Sequence, residues 1–106
     1  MKIMIVGIFL LGCTAVGVAA ADARAGKAAY DKSCKSCHGA DGSGNPAVAK
    51  MMKVELEHLD SKEVQARSDS DLRKVITDGK GKMKPVAAVT GSAVDDVVAY
   101  LRAMKK

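Results

Sequence analysis

What most constrains this chain is the shortage of large apolar side chains where a core would have to form. Its 106 residues include no tryptophan, one phenylalanine and two tyrosines. Phe9 belongs to a leading apolar run, so Tyr30 and Tyr100 are the aromatics left for everything after residue 23. Much of the remaining apolar content there is alanine. A core this thin does not close unaided, because small domains bury too little surface and need a staple, a metal or a prosthetic group. The length allows one small domain and excludes a large self-sufficient enzyme fold. Disorder does not fit either, since the apolar residues recur at helical spacing.

Three cysteines are present. Cys13 falls in the leading run. The other two sit in Cys34-Lys35-Ser36-Cys37-His38, the C-x-x-C-H spacing of covalent c-type haem attachment. The spacing has a mechanical logic. Positions i, i+3 and i+4 of a helix share a face, so two thiols meet the two haem vinyl groups and the adjacent imidazole arrives beneath the iron. Competing chemistries lack their context. A thioredoxin-like dithiol follows a strand, whereas Ala25 to Lys32 is helix-forming. A zinc site needs a second ligand pair, and only His58 remains. A structural disulfide, the usual first reading of paired cysteines in an exported chain, has no use for His38. The expected cofactor is one covalently bound haem c, held by Cys34 and Cys37 with His38 on the iron.

Residues 1–23 read as a signal peptide. Lys2 precedes the apolar run Ile3 to Leu11, and the weaker stretch that follows closes in Ala21-Asp22-Ala23, which fits cleavage before Arg24. Two alternatives stay open. Leu10-Leu11-Gly12-Cys13 resembles a lipobox that leaves Cys13 lipidated, and Ile3 to Ala21 is just long enough to persist as a membrane anchor. All three place a single domain, residues 24–106, outside the cytoplasm, with a periplasmic location expected. Membrane association follows only from a retained segment or a lipidated Cys13. The net charge of +5 survives cleavage, because Lys2 and Asp22 cancel. Nucleic acid is a poor partner for an exported chain with so few stacking aromatics. A basic face meeting an acidic protein partner fits better, with plain solvation by lysine as the blander reading.

The expected fold class is all-α, with no alternating strand pattern. A first helix is predicted over about 25–37, followed by a loop marked by Gly39, Gly42, Gly44 and Pro46. Residues 47–66 are ambiguous: Val48, Met51 and Met52 suit one short helix, and Val64 another after Asp60-Ser61. Ser68 to Asp71 has capping-box character. Leu72, Val75 and Ile76 then form a stripe that Gly79 ends. Ser92 to Asp95 repeats the capping pattern ahead of Val94, Val97, Val98, Leu101 and Met104, with Tyr100 beside them.

The sixth iron position has several candidates. Met104 fits the stripe of the last helix and reads as core. Met51 and Met52 lie 13 and 14 residues after His38; one of them reads as apolar packing and each stays a lesser candidate, while His58 reads as a solvated histidine. Met83 lies in the glycine- and lysine-rich segment Asp78 to Pro85, where a lone thioether has no packing reason to be. Iron supplies one, since thioether is a soft ligand and Met/His ligation suits an electron-transfer haem. His38 and Met83 are therefore the expected axial pair.

Together these residues resemble the small bacterial class I monohaem c-type cytochromes, over essentially all of residues 24–106. The likeness runs from Gly26-x-x-x-Tyr30 through Cys34–His38 and Asp71-Leu72-x-x-x-Ile76-x-x-Gly79-Lys80-Gly81 to Met83, and ends with Val97 to Arg102. One departure is that Lys84 separates Met83 from Pro85. The resemblance implies a cytochrome c fold of about three to five short helices wrapped around one covalent haem. It also implies that the first and last helices cross at Gly26, with Tyr30 and Tyr100 at the crossing. The implied function is one-electron transfer between extracytoplasmic redox proteins, with no enzymatic activity. A haem-bearing subunit or tethered domain of a membrane redox complex is the alternative, and a haem peroxidase or gas sensor with an open sixth site is a more distant one. Lys32, Lys35, Lys50, Lys53, Lys80, Lys82 and Lys84 are candidates to ring the haem edge and steer acidic partners.

Overall fold

The structure, a computed structural model, describes Gly12 and residues 20–105. The expected leader, including Cys13, lies outside the described residues except for Gly12 and residues 20–23. The chain is helical: α1 (Ala23–Ser33), α2 (Lys35–His38), α3 (Pro46–Met52), α4 (Lys62–Gln65), α5 (Asp69–Asp78) and α6 (Ser92–Ala103). The all-α class holds. Among the described residues the only extended pairing is an isolated bridge between Lys80 and Met83, and no helix is long and apolar enough to cross a membrane.

Among the described residues six helices stand where three to five were expected, and the extra one has a local cause. The predicted single helix over 25–37 breaks at Cys34, whose φ of −121° leaves the helical region. Its amide still reaches the Tyr30 carbonyl at 2.8 Å, while its own carbonyl accepts from both Cys37 and His38. The thiols therefore sit on a separate turn, stepped off the axis of α1.

The ambiguous stretch divides as its polar residues direct. Asn45 caps α3 with Pro46 in the first turn, and Lys53 ends it at φ 55°. Ser61 caps α4. Ser68 Oγ accepts from the Asp71 amide, and Gly79 terminates α5. The capping pattern read at Ser92 is not used. Ser92 is the first helical residue, Gly91 precedes it at φ 58°, and no side chain caps the helix. The carbonyls of Thr90 and Gly91 take the Ala93 and Val94 amides instead.

The core lies where α1 crosses α6. A Cβ on Gly26 would stand 1.9 Å from the Asp96 carbonyl oxygen, so only glycine permits this approach. Tyr30 is fully buried and meets Tyr100 edge-on, with ring centroids 5.2 Å apart. Val94, Val97, Val98 and Leu101 bury the facing stripe of α6, joined by Leu72 and Ile76 of α5, while Met104 packs at the margin. Beyond this apolar centre a polar clamp takes over. Arg102 donates to the carbonyls of Gln65 (2.9 Å) and Arg67 (2.6 Å) and to the Asp69 carboxylate, so the end of α6 secures the segment between α4 and α5.

Candidate haem site

The C-x-x-C-H turn is held by its carbonyls. Those of five consecutive residues are claimed in order: Lys35 by the Gly39 amide and Ser36 by the Asn45 side chain. The Asn45 amide takes Cys37, the Gly44 amide takes His38, and the Tyr30 hydroxyl takes Gly39 at 2.5 Å. A helix end normally leaves its last carbonyls orphaned. Here loop 42–45 and a buried phenol satisfy them, which fixes the turn that carries both thiols and the imidazole.

That turn forms one wall of a crevice with two lobes. The outer lobe measures about 600 Å³ and is lined by Cys34, Cys37 and His38 together with residues that include Met52, Met83 and Pro85. The inner lobe, about 310 Å³, reaches Tyr30, Leu72, Ile76, Val97 and Leu101. Cys34, His38 and Met83 line both lobes. Volumes of this size belong to ligand pockets rather than packing defects. Burial disfavours the charged imidazolium and lowers the His38 pKa, so the ring is held in the neutral form that ligates metals. Its Nδ1 is buried without a hydrogen-bond partner. Burial also raises the Cys34 thiol.

Met83 is presented by a tight turn. Its amide and carbonyl pair reciprocally with those of Lys80, both at 2.9 Å. A Cβ on Gly79 would fall 2.4 Å from the Met83 carbonyl oxygen, and at φ 78° the position already favours glycine. Lys82 reaches from this turn to the Met52 carbonyl at 2.6 Å, joining the loop to the end of α3.

The structure thus brings Cys34, Cys37, His38 and Met83 to one cavity. Of the other sulfur candidates, Met52 lines the outer lobe, Met51 is 75% exposed and Met104 packs against the core. His58 is exposed and lines neither lobe. The seven candidate lysines are all exposed, and Lys80, Lys82 and Lys84 stand at the outer lobe. Sequence reasoning passed over the Tyr30 hydroxyl and Asn45, although Asn before Pro is a capping signal. It also passed over the Arg67–Glu57 pair, joined at 3.1 Å on the inner wall. No periodicity marks that pair.

The sequence profile of the family described as cytochrome c oxidase, cbb3-type, subunit III matches residues 21–101. The chain belongs to this family of c-type cytochromes. A solved structure, the KustC0563 c-type cytochrome, is similar to it at 27% identity and a TM-score of 0.63. That likeness covers 76% of this chain and 98% of the other. No curated protein sequence matches. The cytochrome therefore carries covalent haem c, serves haem-based electron transfer and works with redox protein partners; electron carriers of its family are generally not enzymes. Its residues fit that group. Two unpaired thiols, a neutral imidazole with an unpartnered buried nitrogen and a largely apolar crevice face one another. Among the described residues no three His, Cys, Asp or Glu side chains converge as a cage for a bare metal ion.

Proposed function

We propose that the cytochrome is an exported one-electron carrier whose haem is bound by Cys34 and Cys37 and ligated by His38 and Met83. The observation that carries this reading is the shared wall: Cys34, His38 and Met83 line both lobes of one crevice. When bound, the haem supplies a one-electron couple at its iron. The chain's residues do the rest. The capped turn orients the imidazole, the Lys80–Met83 turn presents a soft sulfur, and the core stripe of α6 excludes water. Axial identity and burial are the levers such a site has over potential.

The exposed lysines beside the outer lobe suit acidic docking surfaces on the partners, which steer encounter more than they strengthen binding. A second reading has its own support in the family's description as an oxidase subunit. On that reading the domain is a haem-bearing part of a membrane redox complex, tethered by a retained leader or a lipidated Cys13.

The Met83 assignment is tested by spectroscopy of the ferric protein. A His/Met haem shows a weak far-red sulfur-to-iron band. Met83→Ala should abolish it, open the iron to small ligands and lower the potential, with haem still covalently attached. Met51→Ala and Met52→Ala should keep the band. Its survival in Met83→Ala, or its absence from the wild type, overturns the ligand pair and leaves the attachment residues standing.

A further inference from the structure

We infer that the mature chain begins at Asp22, the leader being cut between Ala21 and Asp22 rather than before Arg24. The inference rests on the reading of residues 1–23 as a cleaved leader and relocates its end. Hydrolysis of the Ala21–Asp22 peptide bond by a leader peptidase adds one water. It leaves a carboxylate on Ala21 and an ammonium on Asp22.

Three observations support this boundary. First, Asp22 belongs to the folded domain: it is the N-cap of α1, with its carboxylate accepting from the Arg24 (2.8 Å) and Ala25 amides. Its carbonyl takes the Gly26 amide at 2.9 Å, which closes the first helical turn at the very glycine where α1 meets α6. A cut before Arg24 discards all of this. Second, the Asp22 backbone nitrogen lies 2.8 Å from the Asp96 carboxylate of α6. In a chain that starts there, this nitrogen is an ammonium, and the amide hydrogen bond becomes an ion pair between the first residue and the last helix. A positive charge at a helix N-terminus opposes the helix dipole, but the carboxylates of Asp22 and Asp96 both stand beside it. Third, the two described residues just before Asp22 add no hydrogen bond to the fold. Ala20 and Ala21 are exposed and make no hydrogen bond with the other described residues. In sequence, Ala19-Ala20-Ala21 supplies the small residues that leader peptidases require.

Intact-mass analysis and N-terminal sequencing of the protein from its native host decide the matter. A first residue of Asp22 is expected, and any other first residue overturns the proposal. A start at Arg24 does so while leaving the cleaved leader intact; a lipidated Cys13 or an uncut chain removes the leader reading as well. A second measurement uses the holoprotein made from a precursor lacking Asp22 and Ala23, so that the leader's Ala21 precedes Arg24 and the cut leaves Arg24 first. Loss of the cap and of the Asp96 contact should lower Tm by about 4 °C or more. An unchanged Tm counts against the structural half of the argument.

Discussion

Arg67 is the side chain whose position says most about how single residues act on this site. It is set into the inner wall of the crevice, 28% exposed against 54% for its partner Glu57, and its carbonyl is held by Arg102. Lys80, another cation lining that lobe, is exposed. Reduction removes one positive charge from the crevice, so a fixed cation nearby favours the reduced state and a fixed anion the oxidised one. Arg67→Gln should lower the reduction potential, Glu57→Gln should raise it, and Arg67→Lys should fall between wild type and Arg67→Gln. Redox titration of the holoprotein checks the signs, and shifts in the same direction from both neutralising changes sink the account. None of this was legible beforehand. The attachment residues announce themselves by spacing and Met83 by its odd surroundings, but an ion pair between Glu57 and Arg67 depends on how the segment between α3 and α4 is brought against the α4–α5 connection.

Among the elements, the α1–α6 crossing carries the greatest constraint. Gly26→Ala places a Cβ against the Asp96 carbonyl at 1.9 Å, a backbone contact that no rotamer relieves. Such overpacking forces the helices apart at a cost of about 1–3 kcal/mol, and the Tyr30–Tyr100 contact should loosen with them. A large fall in Tm with haem still attached is expected from thermal melts followed at the haem absorbance. Wild-type stability in this variant rules out the crossing geometry. The long helices were readable because their stripes repeat: Leu72, Val75 and Ile76, and then Val94 to Leu101. The short ones were less so. The break at Cys34 is imposed by the turn that the carbonyl acceptors hold, and Ser92 was misread because a positive-φ Gly91 starts α6 from the backbone alone.

For the molecule as a whole, a crevice occupies the place where other small domains keep large side chains. The described core holds a single aromatic below a tenth exposure, Tyr30, with valine, leucine and isoleucine as most of the rest. A porphyrin supplies a broad apolar body that such residues can enclose. The double variant Cys34→Ser with Cys37→Ser, unable to attach haem, should therefore lose cooperative unfolding, retaining helical circular dichroism weakly and melting without a sharp transition. A cooperative melt of that haem-free chain overturns the view that the cofactor completes the core.

The pairing of α1 with α6 also sets an order in time. One partner lies at the start of the domain and the other at its end, so a chain made from its N-terminus presents Cys34 well before the helix whose Val97 and Leu101 line the inner lobe beside it. Once α6 has docked, Cys34 is only 8% exposed. The inner lobe is thus complete only when the last helix has arrived, although the turn that carries the attachment residues is made near the start of the domain.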